Sequence, residues 1–203
     1  MTMPTTTPAA PPGPTRHYAV LALGACVAII FLAAIFSFQV ASTEYVVVTT
    51  FGKPRAVTEP GLHFRWPAPI QLLTRFDRRS RTFEGSMGKL EETFTADGKN
   101  LIAGLFVVYR IADPVQLFRS VKTVAEAEAR LNDFMRNSKN GVFGAHRFDE
   151  LINTDPAKRK LAEIEAEIHA EIAERARQQL GLEVERVGIK TLGLPEKITE
   201  AVF

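Results

Sequence analysis

Cysteine is almost absent: the one residue, Cys26, excludes an internal disulfide and cannot build a thiolate metal site alone. The four histidines, at 17, 63, 146 and 169, have no second histidine or cysteine at metal-ligand spacing, and His169 falls on a long helix at a position read as exposed. Charge of one sign is not in excess either. With 25 Lys/Arg against 23 Asp/Glu, nothing calls for a nucleic-acid partner. The glycines at 85, 88, 98 and 104 lack the spacing of a phosphate-binding or dinucleotide-binding loop, and they lack its lysine or helix. Ser86 sits in EGSMG, with Glu84 where a nucleophile elbow needs its first glycine. Glu163, Glu165, Glu167, Glu171 and Glu174 interleave with alanine as a solvated helix face does. The expectation is a chain without catalytic, cofactor or metal residues, and not an enzyme. A membrane-tethered hydrolase is the rival class, since triads assemble from distant residues.

What is present is a long uncharged run, YAVLALGACVAIIFLAAIFSFQV, from Tyr18 to Val40. As a helix it would reach about 34 Å, against a bilayer core of about 30 Å. It reads as a single transmembrane helix; a buried soluble helix and a cleaved signal peptide are the alternatives. The Pro/Thr-rich leader before it cannot bury enough apolar surface to order itself. Arg16 precedes the run and Lys53 and Arg55 follow it, so the positive-inside count does not set orientation. The expected divisions are a leader over 1–16, the membrane helix over 17–41, a domain over 44–194 and the start of a further helix over 195–203.

Beyond the run, EYVVVTTF (44–51) is β-branched and aromatic and stops at GKP, predicting a strand and a turn. After EPG at 59–61, LHFRWPAPIQ is apolar but interrupted by Pro67 and Pro69, which excludes a central strand and predicts an edge or crossover. LLTRFDRRSRTFEG alternates in part and reads as one strand partly solvated on both faces. Its charges Arg75, Asp77, Arg78, Arg79 and Arg81 suit a protected edge or contacts to lipid headgroups or a partner. ETFTADGKNLIAGLFVVYRIADP predicts a hairpin turning at Asp97-Gly98. In its second strand Leu101, Ala103, Leu105, Val107, Tyr109 and Ile111 share one face. Ile102, Phe106 and Val108 make the other apolar too, so cover is expected on both sides.

Helices should supply that cover. Thr123 and Glu126 have capping-box spacing, and Val124, Ala127, Leu131, Phe134 and Met135 recur on one helical face until KNGVFGAH interrupts it. A short apolar turn around Phe148, Leu151 and Ile152 leads to Asp155-Pro156, which predicts a helix start, with Gly181 as the stop after Leu180. The stripe Leu161, Ile164, Ile168, Ile172, Ala176, Leu180 is spaced mostly by four, which favours docking onto a domain over a coiled coil. In LEVERVGIKTL the apolar phase slips by one residue after Val184, as in a bulged strand. The fold class is α+β: a membrane helix, a domain of mixed sheet with amphipathic helices, and the first turns of another helix.

Taken in order, the membrane run, EYVVVTTFGKPRAVTEPGLHFRWPAPI, TADGKNLIAGLFVVYRIADP and GLEVERVGIKTLGLPEKI resemble the SPFH or Band 7 family. That family holds stomatins, prohibitins and the bacterial protease modulators HflK and HflC, and HflC-like members look most similar. The resemblance covers about residues 18–203. It implies a non-enzymatic scaffold that assembles into homo- or hetero-oligomeric membrane rings or cages, with an HflK-like paralogue and an FtsH-like AAA protease as partners. It further implies a single-pass protein of the bacterial inner membrane with the domain extracytoplasmic; a stomatin- or flotillin-like organiser of membrane patches is the variant without a protease. A long wall-building helix follows the domain in such proteins, and GLPEKITEAVF reads as its start, with Pro195 opening it and Ile198 and Val202 on one face. For such a scaffold lying on the bilayer, Phe64, Trp66 and Ile70, apolar or aromatic side chains near prolines, are the candidate interface contacts, ordinary packing between subdomains being the alternative.

Overall fold

The computed structural model describes residues 14–85, 91–155 and 158–194. Helix α1 (Pro14–Phe36) carries the apolar run but ends before it does. Residues Ser37–Val40 form strand β1, not the last turn of the helix. The reason is tertiary: Phe38 and Val40 are buried with Val46 and Val48 in a small cluster that a continued helix could not reach. Strand β1 pairs antiparallel with β4 (Gly61–Phe64). Strand β2 (Glu44–Thr50) lies between β3 (Lys53–Val57) and β5 (Gln71–Asp77), and Val57 and Leu73 pack against the same cluster.

The stretch expected as one strand from 72 to 85 divides. After β5 the chain bends at 78–80 and continues as β6 (Arg81–Glu84) in a different sheet. Its charges are largely matched within the domain: Arg75 to Glu44 at 2.6 Å, Arg81 to Asp77 at 3.6 Å, and Arg78 over the Tyr45 ring.

The larger sheet is organised on the long strand β8 (Asn100–Ile111). One edge of β8 pairs with β6 and with β7 (Glu91–Phe94), the other with β9 (Leu182–Gly193). The hairpin turn falls at 95–99 as expected. There Thr95 Oγ1 donates to Asp97, and the Phe148 N–H donates to the same carboxylate oxygen, holding its pKa down at about 2. The alternate residues Leu101 to Ile111 are all buried. Their opposite face is only half-covered. Phe106 lies against Gly188, and Lys190 reaches Glu84 at 2.6 Å from across β8, so ion pairs and solvent take the place of the second helical layer that the apolar pattern predicts.

The helices pack on one side. A short helix α2 (Pro114–Ser120), not anticipated from the pattern, is capped by Asp113, which accepts from Val115 and Gln116 N–H. Helix α3 (Val124–Ala145) starts where Thr123 accepts from Glu126 N–H, and it runs straight through KNGVFGA instead of breaking. Each glycine in a helix costs about 1 kcal/mol, but burying Val142 and Phe143 on the continued face returns more. After the turn α4 (Phe148–Leu151), helix α5 (Leu161–Leu180) begins later than Asp155-Pro156 predicts; Pro156 itself lies outside the described residues. Ile164, Ile168, Ile172, Ala176 and Leu180 are fully buried. Strand β9 carries the expected bulge, Val184 and Arg186 pairing with neighbouring residues of β8 while Glu185 is skipped, and a second slip at Lys190. Pro195, Ile198 and Val202 lie outside the described residues.

Candidate membrane-facing site

Tyr18–Phe36 is the one described helix long and apolar enough to cross a membrane, with a mean hydropathy of 2.9 and none of the span buried within the protein. Its end is tied to the domain by specific bonds. Ser37 Oγ donates to Ala33 O at 2.7 Å, and the Arg65 N–H donates to Phe36 O at 2.8 Å, satisfying two carbonyls of the last turns. Phe36 and Trp66 meet edge to face with centroids 6.1 Å apart.

The loop after β4 is braced from below. Gln71 Oε1 accepts from the Trp66 N–H at 2.9 Å, while its Nε2 donates to Thr50 Oγ1 at 3.0 Å. The Ile70 N–H closes a turn onto Pro67 O. Because Thr50 opposes Gln71, the β2–β3 turn stands at the same end of the domain as the exit of α1. That end is apolar and open: Phe51 is 83% exposed, Phe64 81%, and Trp66 and Leu72 each 59%. Of the three residues anticipated for the bilayer interface, Phe64 and Trp66 thus project outward, and Ile70 is half-buried.

Phe51 and Leu72 were not anticipated. Phe51 sits at φ 48°, a left-handed conformation unfavourable for a large aromatic. An aromatic side chain both exposed and in such a conformation adds little to folding or solubility. Its sequence gives one clue, an aromatic directly before GKP in a turn where a small polar residue is usual. Leu72 gives none, since an alternating strand does not tell which face is left uncovered.

A cleft of about 460 Å³ adjoins this rim between the two small sheets; Arg55, Glu59, His63 and Phe64 are among its walls. His63 Nε2 lies 2.9 Å from Glu59 O, and its ring packs on Phe38. This is a histidine held by backbone and packing, and the cleft lining holds no serine or cysteine. Perturbed titrations occur elsewhere, at the joint of α3, α4 and α5. Burial alone would lower the pKa of His146, but its contacts to Glu167 and Glu150, both at 3.1 Å, outweigh that and raise it. Glu150 is held at about 2 by Lys160, the Arg147 N–H and His146. That network ties helices together. Among the described residues no group of three His, Cys, Asp or Glu side chains is placed to hold a metal ion.

The model of the SPFH domain / Band 7 family matches residues 38–203. The chain belongs to the SPFH/Band 7 family. Within the family it is similar to Protein HflC of Vibrio parahaemolyticus, at 26% identity over 72% of this chain and 52% of the relative. Protein HflC of Haemophilus influenzae is 24% identical over 72% of this chain and 48% of the relative, and that of Buchnera aphidicola 24% over 82% and 58%. The chain spans about half the length of the curated relatives it matches. The SPFH match begins inside β1, so the first strand of the family domain is the segment that continues the apolar run.

Proposed function

We propose that the chain is a membrane-anchored, non-enzymatic SPFH scaffold of HflC type, whose sheet domain sits on the bilayer through Phe51, Phe64, Trp66 and Leu72. In this reading it assembles with an HflK-like paralogue and restrains an FtsH-like AAA protease from the extracytoplasmic side of a bacterial inner membrane. The observation that carries the bilayer contact is the absence of a linker: β1 starts at the residue after α1, and Arg65 bonds the last carbonyl of the helix, so the domain cannot stand off from the membrane surface. Aromatic side chains at such a level suit the interface, where an apolar ring and a polar edge are both accommodated. The partners rest on the similarity to HflC proteins.

Trp66 is the sole tryptophan, so its fluorescence reports the contact directly. In vesicles containing the full chain, lipids brominated near the carbonyl end of their acyl chains should quench Trp66. No quenching removes the seated domain. Crosslinking in native membranes, followed by identification of the neighbours, tests the assembly: an HflK-like chain and an AAA protease are expected, and recovery of only this chain and lipid would replace protease restraint with the organisation of membrane patches.

A further inference from the structure

Between the end of α1 and the braced loop lies a second, smaller cleft of about 300 Å³, lined by Phe36, Phe64, Arg65, Trp66 and Gln71. Four of these are aromatic or amide side chains and the fifth is a cation. No carboxylate lines it, so nothing there repels an anion. The Arg65 side chain is half-buried, and its Nε is shielded from solvent without an acceptor. Among the described residues its guanidinium has no ion pair. Among the described residues other arginines such as Arg55 and Arg119 also lack a carboxylate partner, but only Arg65 has a guanidinium nitrogen both shielded from solvent and without an acceptor. A shielded guanidinium nitrogen without an acceptor is unfavourable, and the planar fork of arginine matches a phosphate as well as it matches a carboxylate. Because Arg65 N–H is bonded to the final carbonyl of the span, the guanidinium stands at the depth of the lipid headgroups when α1 crosses a bilayer.

We propose that this cleft binds the phosphodiester of an anionic phospholipid, with Arg65 as the phosphate ligand and the Phe36, Phe64 and Trp66 rings enclosing the glycerol end of the acyl chains. The site rests on the seated-domain reading. Trp66, part of the same lining, carries an indole N–H that makes no bond within the described residues and so is a second donor available to the anion. The negative end of the α1 dipole opposes an anion, but two of the last carbonyls are already occupied by Ser37 Oγ and the Arg65 N–H. The outcome is a headgroup clamp at the point where the helix leaves the membrane, fixing the depth and tilt of the domain on its lipid.

The test uses the full chain in nonionic detergent micelles, titrated with phosphatidylglycerol while Trp66 emission is followed. A saturable blue shift is expected. Its midpoint should rise about tenfold in Arg65→Gln, which removes the charged, bidentate contact, and by less in Arg65→Lys, which keeps the charge. A phosphate-free glycolipid should give no saturable shift, and neither should inorganic phosphate at equal concentration. An unchanged midpoint in Arg65→Gln, or equal shifts with the glycolipid, overturns the site; equal shifts with inorganic phosphate overturn the lipid and leave a free-anion site. If Arg65→Gln fails to fold, the Arg65→Lys midpoint and the lipid comparison on the unaltered chain decide alone. A purely structural Arg65, complementing the helix dipole, would show no dependence on headgroup. Bromolipid quenching of Trp66 separates the two readings: quenching with an unchanged midpoint sinks the clamp alone, and absent quenching sinks the seated domain as well.

Discussion

Replacing Gly181 by alanine should destabilise the domain far more than the loss of one hydrogen atom suggests. Gly181 ends α5 at φ +68°, where its N–H bonds back to Ala176 and Arg177 and its carbonyl accepts from both Ala112 and Asp113 N–H at 3.0 and 2.9 Å. A side chain in this left-handed conformation costs about 1 kcal/mol. A Cβ there would also lie 2.6 Å from Asp113 O and 3.0 Å from Gln116 Cβ, so the α5–β9 corner must move away from the start of α2. Weakening both hydrogen bonds adds about 1 kcal/mol each, giving about 3 kcal/mol in all, a large part of the roughly 5–15 kcal/mol that holds a domain together. Gly98 provides the control: it has φ +73° but open space around its Cβ position, so Gly98→Ala should carry the conformational term alone, about 1 kcal/mol. Urea unfolding of the full chain in nonionic micelles, followed by far-UV ellipticity, measures both. If Gly181→Ala costs no more than Gly98→Ala, the close approach of the α5–β9 corner to α2 has no energetic weight and the reasoning fails.

Ile168→Ala, at a fully buried position of the α5 stripe, should cost about 2–5 kcal/mol in the same assay, against about 0.5 kcal/mol for Ala166→Ser on the exposed face; equal costs would mean that α5 is not held by this stripe. His146 should make stability depend on pH. Both of its ring nitrogens face carboxylates that cannot donate, so the imidazolium is the form the joint favours, and its folded pKa is raised. A raised folded value contributes stability that is full below the unfolded value of about 6.5 and is lost as pH rises through the folded value. Denaturation midpoints should therefore separate His146→Gln from the unaltered chain at pH 5.5 and converge by pH 9; a difference that grows with pH would reverse the assignment. Glu150, held at about 2, acts at the other end: its contribution is present above the ordinary glutamate range and should fade as pH falls toward 2.

Much of the fold was legible because its signals are local. The side-chain period along β8, the four-residue spacing of α5, the slip in β9 and the Asp97-Gly98 turn each follow from neighbours in the chain. Local reasoning failed where a distant contact outweighed propensity. Gly141 and Gly144 should break a helix, yet α3 continues because Val142 and Phe143 reach the core. The apolar character of Ser37–Val40 suited a membrane helix, yet pairing with Gly61–Phe64 and burial beside Val46 and Val48 make it a strand. The outer face of β8 looked like a second core, and Lys190 and Glu84 close over it instead. At the candidate site, the aromatics near Pro67 and Pro69 could be picked out by type. Arg65 could not, because nothing in its sequence neighbourhood tells that Phe36 O would take its N–H and that its guanidinium would be left without a carboxylate.

The sequence by itself determined that one long apolar helix precedes a mixed sheet-and-helix domain, which side chains line the inward faces of β8, α3 and α5, and which family the segments resemble, because hydrophobic period, caps and turns are properties of short stretches. Tertiary structure alone decided where the long apolar helix stops and how an aromatic rim from three separate segments gathers around its exit. Those outcomes depend on the hydrogen bonds among Phe36, Arg65, Trp66, Gln71 and Thr50, partners that only the folded chain brings within reach of one another.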